Sequence, residues 1–484
     1  MRGTGLRRVA GTVAALACAA GFATPAHAAV PSGLKLMSYY PSTDAWTGMW
    51  TNWRPDVLDR DFGRIADLHA NAVRLFISPG TFGYPVPSAT MVARLRDAIT
   101  TADAHGLRVE LTLFDLSAPY SDTTGSLVWA GGILGPLRGD TRVAAVELRN
   151  EIDPFDPAAM AWARTLLPQV KSIVGDTPVT ISARAGLDRF AALRAALGAN
   201  AVDFYSYHVY TGGDASRIEA DLSAAKTIAA PAALMMGEGG ASTAPQGLGN
   251  SQSAREASQA NWWRAAGLAL RRLDLGYPGV WTLNDFEQGA IPAAAGVGNN
   301  PMEYEYGLLR TDGSAKPAAA VVRQIFGDEP ISTSFNGGFE SGGRQPLLWS
   351  RFRPEAGHFA RDRQVVRHGR ASARLQGTGG DAAGAPAYVA SPLGWIPGAK
   401  ACTASAWVRG RRLTGETRVA LAWFAASGTY LGQAESPALP QGTTRWQQLT
   451  VRAAPPAGAA AVQIHLKSAR NSGTAWFDDV RFSC

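Results

Sequence analysis

The amino-acid sequence predicts an α/β domain folded as a (β/α)8 TIM barrel, followed by an all-β sandwich. From Leu34 to Phe326, short apolar runs alternate with helical patterns, which is typical of a parallel sheet covered by helices. After Phe326 the long helical patterns stop. Short alternating runs separated by Gly, Pro and Ser follow, and these are typical of antiparallel strands.

Eight apolar runs in the first part are predicted strands: Leu34–Tyr39, Ala72–Ile77, Arg108–Phe114, Val143–Leu148, Pro178–Ala183, Ala201–Tyr207, Ala233–Met236 and Gly279–Leu283. Helical patterns lie between them, for example Val57–His69, Ala89–His105, Pro157–Val174 and Ser253–Leu275. Eight strands alternating with helices favour a closed barrel. An open doubly wound sheet is disfavoured because no Gly-rich phosphate-binding motif follows the first strand.

The second part contains the predicted strands Ala404–Val408, Val419–Phe424, Gln447–Val451 and Val462–Leu466. Gly327 to Pro330 interrupts the last helix of the first part. We therefore expect a signal sequence at 1–28, a barrel domain at 29–327, a linker at 328–333 and a sandwich domain at 334–484.

The chain has 484 residues, of which 46% are hydrophobic and 18% charged, so it is long and apolar enough for two folded domains. This composition excludes a small disulfide-stapled scaffold and an intrinsically disordered chain. The formal net charge is +7. No basic stripe with interleaved aromatic residues is evident along the sequence, so no nucleic-acid partner is expected.

The N-terminus has the pattern of a secretory signal peptide. Arg2, Arg7 and Arg8 precede an apolar segment, and Ala26-His27-Ala28 fits a cleavage site. We expect a secreted protein that has no membrane attachment after cleavage. A lipoprotein signal ending at Cys18 is a weaker alternative.

Cleavage would leave two cysteines, Cys402 and Cys484, which are expected to form a disulfide in an oxidising compartment. Metal and thiol catalysis would then lack their usual cysteine ligands and nucleophiles.

Reactive side chains stand where a barrel of this kind carries its active site, at the carboxyl ends of the strands. Glu151 follows the fourth predicted strand, and Glu238 follows the seventh. Two carboxyl groups that face each other across one cavity are what glycosidic cleavage requires. Further polar or aromatic residues occur within or at the ends of other strands: Arg74, His208, Tyr210 and Trp281.

These residues, together with the Asn150-Glu151 pair, resemble the retaining clan of β-glycosidases with catalytic glutamates on strands four and seven. Within that clan the sequence is most similar to the cellulase-type glycoside hydrolase family 5. The resemblance implies that Glu151 is the general acid/base and Glu238 the nucleophile. It also implies that Arg74 and Tyr210 bind Glu238, that Asn150 binds the sugar 2-hydroxyl, that His208 lines the cleft, and that Trp281 lies under the sugar.

Two positions depart from the family pattern. Asp115 ends strand three where relatives often have a histidine, so Asp115 is expected to contact the sugar. Ile152 follows Glu151 where many relatives have proline. Glu147 lies on the same strand face as Glu151 and is a minor alternative for the acid.

An aromatic cluster follows the first predicted strand: Tyr39, Tyr40, Trp46, Trp50 and Trp53. These rings either build sugar subsites or form an apolar plug over the barrel, and the sequence favours neither alternative.

The second domain opens with Asn336 to Glu340 and closes with Trp476 to Phe482. These two motifs resemble the jelly-roll carbohydrate-binding modules of families 4, 9 and 22. The resemblance implies a structural Ca²⁺ site that includes Glu340 and Asp479, although both acids could instead cap turns.

The sequence therefore predicts a secreted retaining β-glycoside hydrolase of the endo-β-glucanase or β-mannanase type, with a β-glycan substrate. No cofactor is expected for catalysis, and we expect a monomer. An exo-acting or disaccharide-releasing β-glycosidase is the enzymatic alternative. A non-catalytic polysaccharide-binding protein is the other.

Overall fold

The structure is a computed structural model. It describes Met1 and residues 30–213, 215–247, 252–329, 336–340, 346, 349–352, 358–377, 387–391, 394–396, 400–425 and 429–484. Apart from Met1, the expected signal sequence lies outside the described residues, as does most of the expected linker.

Among its described residues, the first domain contains eight parallel strands: β1 (Leu36–Ser38), β2 (Ala72–Phe76), β3 (Arg108–Thr112), β4 (Val143–Glu147), β5 (Val179–Thr180), β6 (Phe204–Val209), β7 (Ala233–Gly239) and β8 (Gly279–Val280). Six of them form one sheet in the order β5-β4-β3-β2-β1-β8, and β6 pairs with β7. Hydrogen bonds join these two sheets at both junctions. The Ser206 amide donates to the Ile181 carbonyl (3.4 Å), and the Trp281 amide donates to the Gly239 carbonyl (2.9 Å). This curled parallel arrangement fits a (β/α) barrel.

In the described part of the chain, ten α-helices accompany these strands: α1 (Thr47–Thr51), α2 (Pro55–Asp67), α3 (Pro79–Phe82), α4 (Ala89–Ala104), α5 (Thr123–Leu134), α6 (Pro157–Val174), α7 (Leu187–Leu197), α8 (Ile218–Ala229), α9 (Gln252–Leu273) and α10 (Pro317–Phe326). Local sequence explains the start of α6. The Asp156 carboxylate caps α6 by accepting from the Ala158 amide, and Pro157 occupies the first turn, where its missing N–H costs nothing. α2 buries Leu58, Phe62 and Ile65, a spacing that places all three side chains on the side facing the sheet.

The described residues of the second domain form eleven strands: β9 (Ser350–Phe352), β10 (His358–Asp362), β11 (Ser372–Gln376), β12 (Ala387–Ala390), β13 (Gly394–Trp395), β14 (Cys402–Arg411), β15 (Glu416–Ala425), β16 (Tyr430–Glu435), β17 (Gln447–Ala453), β18 (Ala459–Ala469) and β19 (Thr474–Ser483). They form two antiparallel sheets, β10-β11-β19-β14-β17 and β16-β15-β18-β12-β9, and β13 pairs with β18. One apolar core draws side chains from both sheets, as in a β-sandwich.

A disulfide joins Cys402 to Cys484, the pairing expected from the cysteine count. Cys402 is buried at the start of β14, and Thr403 pairs directly with Ser483 near the end of β19. The bridge therefore ties the chain end to a strand in the middle of its sheet.

All eight barrel strands expected from the sequence are present, although most are shorter than the apolar runs that predicted them. The largest shift concerns β6, which begins at Phe204 and continues to Val209. Within the described part of the chain, no helix is both long and apolar enough to cross a membrane.

Candidate active site

The carboxyl ends of the barrel strands meet around a cavity of about 250 Å³. Side chains on β7 or following β4, β6 and β8 contribute to its wall. Of the eight barrel residues expected to form the site, six line the cavity. Arg74 and His208 are buried and do not line it, although His208 was expected to line the cleft. The cavity is lined by Tyr40, Trp46, Phe76, Asp115, Leu116, Arg149, Asn150, Glu151, Arg184, Tyr210, Glu238, Trp281, Ala295, Val297, Glu303 and Tyr306.

Glu238 lies on β7 with both carboxylate oxygens engaged. Arg74 on β2 donates from Nη1 to one oxygen at 2.5 Å, and the Tyr210 hydroxyl donates to the other at 2.5 Å. Burial and the nearby Glu238 carboxylate raise the pKa of Tyr210 well above its usual value, so the phenol keeps its proton for this bond. Both contacts expected from the sequence are present, and both stabilise an anionic Glu238.

Glu151 lies opposite, on the segment that follows β4. Its backbone adopts a left-handed conformation (φ 49°), and its amide donates to the Ser182 hydroxyl at 3.0 Å. One carboxylate oxygen lies 3.1 Å from His208 Nδ1, and the other lies 3.6 Å from Arg184 Nε. Since a positive φ is strained for a residue with a β-carbon, the surrounding bonds must hold this conformation in place.

The two glutamates are close together. One oxygen of Glu151, one oxygen of Glu238 and one ring nitrogen of His208 all lie within 4.8 Å of one another. His208 Nδ1 is 3.4 Å from Glu238 as well as 3.1 Å from Glu151, so this buried imidazole lies between both carboxylates.

The electrostatics of Glu151 differ from the simple expectation that a proton donor has a raised pKa. Burial alone would raise the pKa of Glu151. The hydrogen bond to His208 and the charges of His208 and Arg184 outweigh burial and lower the pKa of Glu151 below its usual value. For His208 the balance is the reverse. Burial alone would lower the pKa of His208, but Glu238 and Glu151 outweigh it, so the pKa lies above its usual value. In the free site, the imidazole therefore tends to hold a proton between two carboxylates.

A buried charge network lies beneath Glu238. Arg74 is completely buried and also donates to Glu147, to the Asn150 side chain (2.9 Å) and to the Thr112 hydroxyl (3.1 Å). Burial alone would raise the pKa of Glu147, but the charge of Arg74 outweighs this effect and lowers the pKa below its usual value. Glu147 is fully buried and does not line the cavity, so the structure places it as a partner of Arg74 and not as an alternative acid.

Asp115, at the end of β3, belongs to the cavity wall. It accepts from the Asn150 amide nitrogen (3.2 Å) and from the Tyr40 hydroxyl (3.3 Å). Burial raises the pKa of Asp115. The position where relatives often have a histidine thus holds a carboxyl group that also orients Asn150.

The aromatic cluster after β1 divides between the two alternatives drawn from the sequence. Tyr40 and Trp46 line the cavity, and each ring packs edge-on against Trp281. Trp50 is buried and donates to the Phe76 carbonyl at 2.8 Å, and it stacks on Trp53 away from the cavity. The cluster therefore forms one wall of the cavity and an apolar plug behind it.

Sequence reasoning missed four polar residues that line the cavity: Arg149, Arg184, Glu303 and Tyr306. Glu303 accepts from the Trp281 indole nitrogen at 3.1 Å. Burial first, and then the charges of Glu238 and Glu151, raise the pKa of Glu303 to about 7. Glu303 lies in a short 3-10 helix (Pro301–Glu305) far beyond the last strand, so no strand-end pattern in the sequence indicates it.

Glu151, His208 and Glu238 could in principle ligate a metal ion. However, a cation there would lie beside the Arg74 guanidinium, which already neutralises Glu238. The trio is therefore better suited to proton transfer and nucleophilic attack.

The calcium site expected in the second domain can be compared with the contacts of its two acids. The Glu340 carboxylate accepts from the Arg370 amide (2.9 Å) and the Ala371 amide (3.4 Å), and Asp479 pairs with Arg367 (3.1 Å). Among the described residues, Glu340 and Asp479 belong to no group of three candidate metal ligands. These donors engage one oxygen of each carboxylate, and the calcium site stays a prediction.

Comparison with solved structures shows that the fold of this chain is similar to that of known proteins. The chain is similar to the exo-β-1,4-mannosidase Op5Man5 from Opitutaceae bacterium strain TAV5, with a TM-score of 0.51 and 19% identity, over 61% of this chain and 59% of that one. It is also similar to a GH5_18 protein from Bifidobacterium longum subsp. infantis, with a TM-score of 0.51 and 16% identity, over 61% of this chain and 79% of the other. The chain thus spans less than two thirds of the length of Op5Man5. No family model and no curated protein matches it.

Proposed function

We propose that this protein is a retaining β-glycoside hydrolase with a closed eight-stranded barrel, as the resemblance to glycoside hydrolase family 5 implies. The observation that carries the proposal is the separation of Glu151 and Glu238, whose nearest carboxylate oxygens lie within 4.8 Å across the cavity. Retaining enzymes hold their two carboxyl groups about 5–5.5 Å apart, whereas inverting enzymes need about 6.5–9.5 Å to admit a water molecule.

In the first step, a Glu238 oxygen attacks the anomeric carbon while Glu151 donates its proton to the departing glycosidic oxygen. In the second step, Glu151 removes a proton from water, and the resulting hydroxide displaces Glu238 from the sugar. Arg74 and Tyr210 bind the two oxygens of Glu238 and orient it for attack. Asn150, fixed by Arg74 and Asp115, is positioned to bind a sugar hydroxyl.

We further propose exo action on a terminal β-linked sugar, in preference to the endo action first expected. A cavity of about 250 Å³ is smaller than the roughly 300–1,000 Å³ typical of sites for drug-sized ligands, so it suits a single sugar ring. Trp281, buried against Tyr40 and Trp46, would form the floor under that ring. β-Mannosides are the first substrates to test, since Op5Man5 is described as an exo-β-1,4-mannosidase.

Export is also proposed. It is supported by the signal-like N-terminus and by the Cys402–Cys484 disulfide, since disulfides persist mainly in oxidising compartments. The second domain would then act as an accessory module beside the catalytic barrel.

Glu238→Ala tests the proposal. Because the nucleophile is lost, kcat on an aryl β-glycoside that the wild type cleaves is expected to fall at least about 10³-fold. Glu287→Ala is the matched control, since Glu287 is exposed and outside the cavity wall, and it should retain full activity. NMR of the wild-type reaction should show the β-anomer as the first product. Full activity of Glu238→Ala, or a first product of the α-anomer, would contradict the mechanism, and oligosaccharides released from the interior of a polymer would contradict exo action.

A further inference from the structure

The outer face of one sheet in the second domain carries five arginines, which we call the arginine face. In the strand register, Arg374 on β11 and Arg409 on β14 both lie opposite Trp476 on β19. Arg411 follows two positions after Arg409 and lies opposite Thr474. Arg452 on β17 lies opposite Thr403, and Arg481 on β19 lies opposite Ser405. Thr403 and Ser405 alternate along β14 with Arg409, and a register shift at Ser405/Trp407 brings Arg481 to the same side as Trp476. The arginine face comprises Arg374, Arg409, Arg411, Arg452 and Arg481.

The charges of the arginine face are largely uncompensated. Arg409, Arg411, Arg452 and Arg481 are exposed, and none forms an ion pair with a described residue. Arg374 comes only within 3.9 Å of Asp362.

The two acids on this side, Asp362 and Asp478, are buried and already accept hydrogen bonds. Asp362 accepts from the Trp476 indole nitrogen (2.9 Å), and Asp478 accepts from the backbone amides of Arg367 (2.8 Å) and His368 (3.2 Å). Neither is free to neutralise the exposed guanidinium groups.

The two domains differ in charge. Residues 334–484 contain 18 Lys and Arg against 8 Asp and Glu, a net charge of +10. Residues 29–327 contain 25 basic and 29 acidic residues, a net charge of −4. A concentration of like charge disfavours the compact state of a small domain. The requirements of folding therefore do not account for the net positive charge of the second domain.

The aromatic rings of this side are covered rather than presented. Trp476 is buried, with the Arg411 guanidinium 5.4 Å from its ring, and the Arg367 guanidinium lies 3.8 Å above the Trp407 ring. A neutral sugar that needs a bare ring for stacking would find none among these two tryptophans.

We propose that the arginine face binds a polysaccharide carrying carboxylate or sulfate groups. Guanidinium groups bind such anions through paired hydrogen bonds. With strands about 4.8 Å apart, Arg374 and Arg409 are separated by roughly 10 Å across β19, and Arg409 and Arg411 by about 7 Å along β14. This is a set of sites for a repeating anion rather than one pocket for a single ion. The proposal does not depend on the hydrolytic function.

The test is equilibrium binding of the full chain at physiological ionic strength to polygalacturonate, dextran sulfate, neutral dextran and duplex DNA. Binding is expected to polygalacturonate and to dextran sulfate, and not to neutral dextran. The double variant Arg409→Glu/Arg411→Glu should weaken binding to the anionic polysaccharides at least about tenfold, because two attractive contacts become repulsive. The polyuronate and sulfate arms show which anion is preferred.

The matched control is Arg363→Glu/Arg445→Glu, which changes the net charge equally at exposed arginines outside the strands. It should weaken binding less than about twofold, because the exposed charges it alters lie off the face and are screened by salt. Equal weakening by both variants would overturn the arginine face as the site. Binding to duplex DNA without binding to either anionic polysaccharide would overturn the ligand class. Unchanged unfolding temperatures and unchanged aryl-glycoside hydrolysis in both variants would confirm that the fold and the barrel site are intact.

Discussion

Arg74 is the residue on which the candidate site depends. Three buried carboxyl groups surround its guanidinium, those of Glu110, Glu147 and Glu238. One cation cannot compensate three anions in a buried site, and burial raises the pKa of Glu110 to about 8, although Arg74 opposes this. Glu110 therefore remains protonated at neutral pH, so Arg74 faces two carboxylates, those of Glu147 and Glu238, instead of three.

The imidazole of His208 is predicted to set the pH range in which Glu151 can donate a proton. In His208→Asn, the positive charge that lowers the pKa of Glu151 is removed, so Glu151 should remain protonated to higher pH. The alkaline limb of kcat/KM for an aryl β-glycoside should therefore shift upward in pH. His105→Asn alters a histidine that pairs with Asp59 outside the cavity wall, and should leave the limb unchanged. An unshifted limb in His208→Asn would show that His208 does not act on Glu151.

Glu303 is predicted to make stability fall with rising pH. Its pKa is about 7 in the folded protein and about 4.3 in an unfolded chain, so the folded state binds more protons between these values. Stability contributed by protonated Glu303 is thus present at low pH and lost as pH rises through 7. Glu303→Gln cannot ionise, and its Tm should exceed that of the wild type by roughly 2–6 °C at pH 8.5 and match it near pH 4. An equal Tm difference at both pH values would contradict this prediction.

At the scale of elements, apolar runs predicted the strands because barrel strands such as β2 and β4 are buried along their whole length and are apolar apart from one charged residue each. The strand ends then indicated Glu151 and Glu238, since a barrel gathers those ends at one edge. The loop after β8 could not be predicted in this way. Glu303 and Tyr306 line the cavity because of the conformation of this loop, and a loop has no hydrophobic periodicity from which its conformation could be predicted. The arginine face was also missed, because its members come from four separate strands.

The junction of β7 and β8 is predicted to require glycine. A β-carbon on Gly279 would lie 1.9 Å from the Gly237 carbonyl oxygen, so β8 would have to move away from β7. Gly279→Ala should lower the free energy of unfolding by about 1–3 kcal/mol. It should also reduce activity, because Trp281, which directly follows β8, lines the cavity. Gly131→Ala is the control, because its β-carbon would meet nothing within 4 Å in α5, and it should be neutral or stabilising by up to about 1 kcal/mol. Urea unfolding measures both variants, and equal stability of the two would refute the steric argument.

At the scale of the whole molecule, the disulfide is predicted to stabilise the second domain alone. Cys402 and Cys484 are 82 residues apart in sequence, so the bridge removes much of the freedom of that domain's unfolded chain. Reduction, or the variant Cys402→Ala/Cys484→Ala, should lower the free energy of unfolding of the sandwich by about 2–4 kcal/mol and leave hydrolysis unchanged. Calorimetry with and without reductant measures this. A shift in the unfolding of the barrel instead would contradict the prediction.

The cavity wall extends along the chain from Tyr40 to Tyr306, and Tyr40 and Glu303, near its two ends, both contact Trp281. During synthesis, the first aromatic wall therefore leaves the ribosome long before Glu303 and Tyr306. Proteolytic or genetic truncation anywhere within the barrel would leave the reactive glutamates without an enclosed pocket. Enzymatic turnover is thus a sensitive reporter that the first domain has been made and assembled in full.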